Sequence, residues 1–81
     1  MFYAYVLKSL KNGKKYTGCT SKTLQERLRQ HNKGCNRWTR SNKPFELIYY
    51  EKYDNKTEAI KRENFLKSGQ GRKFLDNLFP R

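Results

Sequence analysis

Two alternating, aromatic-rich segments flank Asn12-Gly13, and this arrangement constrains the fold more than any other feature. Phe2 to Lys8 alternates, so Tyr3, Tyr5 and Leu7 share one strand face and Phe2, Ala4 and Val6 the other. Asn-Gly is the strongest short hairpin signal, because both central residues of a type I′ turn need positive φ. Lys14 to Thr20 then returns as the partner strand. Pro44 precedes a third strand, Phe45 to Tyr53. Thr23 and Glu26 fit a capping box, Leu24 and Leu28 form a narrow apolar stripe, and Gly34 supplies a stop. Asn36 to Lys43 reads as a polar, basic loop carrying Trp38. Asn55 and Glu58 cap a second helix through about Lys67, with Ala59, Ile60 and Leu66 among its apolar positions. Ser68-Gly69-Gln70-Gly71 reads as a break, and a short last helix, Arg72 to Leu78, offers Phe74, Leu75 and Leu78 to the core. The expected architecture is α+β, order β-β-α-β-α-α: a three-stranded antiparallel or mixed sheet flanked by helices, with another surface left for a polymer.

Residues 1–81 are expected to form a single domain with a thin core. Six Tyr, five Phe and one Trp are too many for a solvated coil. No apolar run approaches a membrane span, and the N-terminus lacks the pattern of a signal peptide, so a cytoplasmic protein is expected. Cys19 and Cys35 form no Cys-x-x-Cys pair, which argues for reduced, small apolar side chains over a zinc site. Nineteen Lys and Arg against seven Asp and Glu give a net charge of +12. Such a charge on one small domain favours nucleic acid over a merely solvated basic surface. A membrane partner is disfavoured, because the cations are not gathered on one amphipathic helix.

Glu63 lies i+4 from Ala59, i+3 from Ile60 and i−3 from Leu66, on or beside the apolar stripe of its helix. A carboxylate there needs a metal or a pairing cation, Arg27 or a lysine, and periodicity alone favours neither. Arg27 and His31 are one helical turn apart and can present two donors on one face. Arg27 suits a phosphoryl group; His31 suits proton transfer or phosphate contact, with a surface role near a helix end as the alternative. Tyr5 and Tyr16 read from their own chemistry as aromatic core with hydroxyls at the edge. Gly18 either admits a polymer backbone or marks a bulge.

Tyr3-Ala4-Tyr5, with Tyr16-Thr17-Gly18 about ten residues on, resembles the paired signature of the GIY-YIG nuclease superfamily. Arg27, His31 and Glu63 follow in the superfamily's order, across essentially the whole chain. The chain is most similar to small stand-alone bacterial GIY-YIG proteins. It also resembles the nuclease domains of the excinuclease C protein and of structure-selective endonucleases. Tyr16-Thr17-Gly18, His31-Asn32, Trp38-Thr39-Arg40 and Pro44-Phe45-Glu46-Leu47 all look like the small-protein subgroup. Only Tyr5 carries over from the first tripeptide, Cys19 stands where some relatives have lysine, and Asn77 lies near a substrate-positioning asparagine of some members.

The resemblance implies hydrolysis of DNA phosphodiesters with one divalent ion, Mg²⁺ or Mn²⁺, in DNA repair or recombination. Glu63 would hold the metal, Tyr16 would deprotonate or orient the attacking water, and Tyr5 would hold that water or the phosphate. Arg27 would stabilise the crowded charge, and His31 would assist. Arg37, Trp38 and Arg40, with Gly18, are the expected nucleic-acid contacts, Trp38 capping the core being the alternative. The rival function is a non-catalytic nucleic-acid-binding module of the same fold, on DNA or RNA. Either way, a partner protein is one source of site specificity.

Overall fold

The computed structural model describes residues 1–34 and 36–79, so Cys35 lies outside the described residues. Strand β1 (Phe2–Ser9) is central, with β2 (Lys15–Thr20) and β3 (Phe45–Tyr53) on its two sides. Both pairings are antiparallel. The β1–β2 register sets Tyr5 opposite Gly18 and Leu7 opposite Tyr16. The β1–β3 ladder shifts between Val6 and Leu7, which pair with Tyr49 and Leu47. The extra residue, Ile48, makes the bulge, so the irregularity falls on β3 and not at Gly18.

The hairpin differs from a two-residue type I′ turn. Within the hairpin loop only Gly13 has positive φ, +76°, and among the described residues no non-glycine residue does, so Asn12 does not take the first I′ position. The loop is wider because Ser9 organises it: Ser9 Oγ accepts from the Lys11 and Asn12 amides. Ser9 Oγ itself donates to the Asn42 carbonyl.

Helix α1 (Leu24–Asn32) begins where Thr23 accepts from the Glu26 amide, and stops at Gly34, with φ +80°. Residues 37–42, expected to be loop, form the short helix α2 (Arg37–Asn42). Asn36 and Thr39 cap it reciprocally, and Asn42 Nδ2 donates to the Trp38 carbonyl. Helix α3 (Lys56–Lys67) starts at Asn55 as predicted. Helix α4 (Gly69–Leu78) starts three residues before the predicted Arg72, because the Ser68 hydroxyl accepts from the Gly71 amide. A Cβ at Gly71 would lie 2.0 Å from the Phe65 carbonyl oxygen, so glycine here permits close packing of α4 on α3. Ile60 and Leu78 are 37% and 48% exposed; Phe65 and Leu75 take the inward positions instead.

Both faces of the sheet are covered. Ala4 and Val6 pack with Leu66 and Leu75 beneath α3 and α4. Tyr5, Leu7 and Phe45 pack with Leu24, Leu28 and Trp38 beneath α1 and α2. The polymer surface expected beside the sheet is therefore not a sheet face. The openings of the molecule are found instead along β2.

Candidate active site

The site is built around one buried hydroxyl. Tyr5, 1% exposed, points from β1 toward α1. Arg27 and His31, one turn apart on α1, both reach it. Arg27 Nε donates to Tyr5 Oη at 3.1 Å, and Tyr5 Oη lies 3.0 Å from His31 Nε2. The Tyr5 oxygen can thus accept from Arg27 while its hydroxyl shares a second hydrogen bond with Nε2, whose direction the imidazole tautomer sets. Arg27 Nη1 also donates to Gln30 Oε1 at 2.8 Å. Two fixed bonds thus orient the guanidinium plane.

Burial pushes Tyr5 up to about 12, against the opposing hydrogen bond and charge of Arg27. Burial, then the Arg27 charge, pushes His31 down to about 4. At neutral pH the pair is therefore uncharged, and His31 is a neutral imidazole. This is a hydrogen-bonded unit, not a surface histidine at a helix end.

Gly18 explains how a tyrosine hydroxyl fits across the ladder. A Cβ at Gly18 would lie 2.5 Å from Tyr5 Oη and 2.7 Å from Cζ. The room that glycine opens is thus filled by Tyr5 rather than left for a polymer backbone.

Tyr16 is less buried and stands beside this unit. Its ring packs on His31 at 4.7 Å and on Trp38 at 5.3 Å between centroids. Trp38 in turn stacks on Phe45 at 5.6 Å, and Phe45 meets His31 edge-on at 6.3 Å. Four rings form a closed set, so Trp38 caps the core from one side while lining a groove along β2 from the other. Arg37 and Arg40 are exposed on α2, and the aliphatic stem of Arg40 lies over Gly34.

Glu63 arrives from the other layer. Its side chain, 18% exposed, pairs with Lys67 Nζ at 3.0 Å. Glu63 lies on α3, which packs against β1 and β2, and its negative charge contributes to raising both Tyr5 and Cys19. The structure thus joins Tyr5, Arg27, His31 and Tyr16 by direct contact and sets Glu63 on the helix packed against the same two strands. Among the described residues no group of three or more His, Cys, Asp or Glu is placed to hold a metal. Burial, then the Glu63 charge, raises the Cys19 thiol, so it offers no ready thiolate. A single carboxylate suits a hard ion that keeps most of its waters, which describes Mg²⁺ or Mn²⁺ and not zinc.

Two openings lie along β2, with Gly18 between them. A groove of about 590 Å³ is walled by Lys14, Tyr16, Trp38, Lys67, Arg72 and Leu75, among others. A smaller cleft of about 310 Å³ is lined by Cys19, Lys22, Arg27 and Lys56, among others.

Sequence reasoning missed two asparagines that hold this site in place. Asn32 brackets the start of β3: its Oδ1 accepts from the Phe45 amide at 2.6 Å and its Nδ2 donates to the Phe45 carbonyl. Asn42, 6% exposed, ties α2 to the hairpin by accepting from Asn12 Nδ2 at 2.6 Å. The Asn36-x-x-Thr39 spacing was the available signal for α2. No local pattern marks an asparagine whose partner lies thirty residues away.

Comparison with known proteins identifies the domain that carries these residues. The GIY-YIG catalytic domain matches residues 1–75. The chain is 43% identical over 68 residues to the UPF0213 protein CPE1444 of Clostridium perfringens, covering 83% of this chain and 71% of that protein. It is 38% identical over 74 residues to the UPF0213 protein SSP2268 of Staphylococcus saprophyticus, covering 90% and 88%. The solution NMR structure of the UPF0213 protein BH0048 from Bacillus halodurans superposes with a TM-score of 0.55 at 31% identity, covering 98% of this chain and 86% of that one. A buried tyrosine bonded to a helical Arg-His pair, a second tyrosine across the hairpin and a glutamate from a later helix are thus set in a domain that belongs to the GIY-YIG family.

Proposed function

We propose that this chain is an endonuclease that hydrolyses DNA phosphodiester bonds with one divalent cation, Mg²⁺ or Mn²⁺, held at Glu63. The observation that carries the reading is the convergence of Tyr5, Tyr16, Arg27 and His31 on the β2 edge, with a carboxylate beside them. A hard cation at Glu63 would supply Lewis-acid stabilisation of a phosphate oxygen. Arg27, its plane fixed by Tyr5 and Gln30, presents a preorganised fork to the charge that builds on phosphorus. Tyr16 is the more accessible of the two tyrosines, so orienting the attacking water falls to its hydroxyl, and receiving the water's proton falls to the same oxygen once it has given up its own. Tyr5 is then a positioning residue: its hydroxyl accepts from Arg27 and is hydrogen-bonded to His31. His31, kept neutral, backs the Tyr16 ring and remains a proton acceptor when Tyr5 shifts. DNA repair and recombination are the processes that would use such an activity.

The test is cleavage of labelled single-stranded, duplex, flap and forked DNA by wild type and Glu63→Gln, with Mg²⁺, Mn²⁺ or EDTA. Metal-dependent cutting that the variant loses while still binding supports the enzyme. Binding without cutting on every substrate would sink it in favour of a non-catalytic binding module.

A further inference from the structure

We propose that the groove beside Tyr16 receives one unpaired nucleotide of the substrate strand, with its phosphate on Lys14 and Arg72 and its base over Leu66 and Leu75. The inference rests on the nuclease reading and names the substrate class that reading leaves open. The groove straddles the sheet edge, running from Lys14 to Thr17 on one side to the α3–α4 corner on the other. Tyr16 belongs both to this groove and to the ring set around His31, so an occupant would abut the groups that act on phosphorus.

Three properties select the occupant. The first is charge. Lys14, Lys15, Lys67 and Arg72 line the groove against one carboxylate, Asp76; Lys15 pairs with Asp76 at 3.2 Å and Lys67 with Glu63 at 3.0 Å, so Lys14 and Arg72 are the cations left to meet an anion. The second is the mixed wall. Leu66 and Leu75, almost wholly buried, line the same groove as those cations, and Trp38 adds an aromatic surface. An anion alone has no use for that apolar surface, and an apolar ligand has no use for the cations. A nucleotide has both parts. The third is size. About 590 Å³ lies in the ordinary range for a pocket holding one small ligand. A paired base cannot reach its floor without leaving the stack, so the nucleotide must be unpaired.

The sole tryptophan, Trp38, lies in the groove wall and reports on it directly. Its fluorescence would be followed in EDTA while the protein is titrated with pentathymidylate, then with a blunt duplex of equal phosphate count. Saturable change with pentathymidylate, and none with the duplex, is expected. In Lys14→Ala/Arg72→Ala, with wild-type unfolding by urea, the slope of log affinity against log salt should shrink by about 0.7, the share of the one single-strand phosphate the two side chains hold. The inference is overturned if the duplex changes Trp38 equally, if pentathymidylate changes nothing, or if the salt slope of the double variant matches wild type. These readouts need no cleavage. Saturable Trp38 change without cutting on any DNA would remove the enzyme and leave the groove; cutting indifferent to pairing would do the reverse.

Discussion

At the scale of single residues, the site depends on a contact made by an absent side chain. Gly18→Ala would drive a methyl into Tyr5 Oη, and Tyr5 is enclosed on all sides. The variant is expected to lose about 1–3 kcal/mol of stability, the usual range for overpacking. Urea unfolding measures this, and a loss below a few tenths would show that Tyr5 has room to move. His31 supports a second prediction. Its folded value is near 4 against an ordinary 6.5, so between those pH values the unfolded chain binds a proton that the folded chain refuses. Stability from this group is complete above about 6.5 and is lost as pH falls toward 4, by on the order of 3 kcal/mol. Since the chain has one histidine, an NMR titration of its imidazole settles the point, and a midpoint near 6.5 would refute it. Arg27, His31 and Glu63 could be picked out by spacing. That Tyr5 is the hub could not be, because its two hydrogen bonds join β1 to α1 and no spacing rule spans that distance.

At the scale of elements, α3 is fastened to the sheet by a polar cluster as well as by its apolar side chains. Tyr49 and Tyr53 donate to the Glu51 carboxylate, and Arg62 Nε meets it at 3.0 Å. The Arg62 guanidinium also lies 4.5 Å from the Phe65 ring centre and 5.2 Å from that of Phe74. Burial alone would raise Glu51, but the three donors and the Arg62 charge outweigh it and hold the carboxyl below its ordinary 4.5. Arg62→Met should therefore reduce stability by about 1–3 kcal/mol at pH 7, the cost of leaving the carboxylate short of a partner. A lowered carboxyl gives stability that is present above about 4.5 and lost as pH falls through its folded value. The gap between variant and wild type should thus narrow below pH 4.5, and a constant gap in pH-dependent unfolding would reject the coupling. The strands, α1 and α3 were legible because alternation and caps are local signals. Helix α2 was not: six residues are too few to show a period, and its cations resemble a loop. The start of α4 was obscured because Gly69 and Gly71 resemble a break until the Phe65 carbonyl beside Gly71 is seen.

At the scale of the whole molecule, the sheet has helices on both faces, and the candidate catalytic groups come from both layers. Tyr5 and Arg27 belong to one side and Glu63 to the other, meeting along β2. Element order was readable from the sequence, but the face each helix takes was not, since apolar stripes on α1 and α3 are equally compatible with either. No helix among the described residues is long and apolar enough to cross a membrane. A net charge of +12 makes nucleic-acid affinity steeply dependent on salt. Raising salt from about 50 to 200 mM should weaken DNA binding by at least tenfold, measured by fluorescence anisotropy, whereas a flat response would argue against phosphate contacts. The central place of β1 also bears on how the chain acquires its shape. Of the three strands, the first to be synthesised is the one that must be flanked on both sides. Its pairing with β2 is local and can form within microseconds. Its other edge stays open until α1, α2 and the whole of β3 exist, so a slow, long-range closure follows a fast local one. During that interval Tyr3, Tyr5 and Leu7 sit on a two-stranded ribbon whose β1 edge is bare as well as its β2 edge, and it is then, rather than when folded, that the protein is most exposed to pairing with another copy of itself.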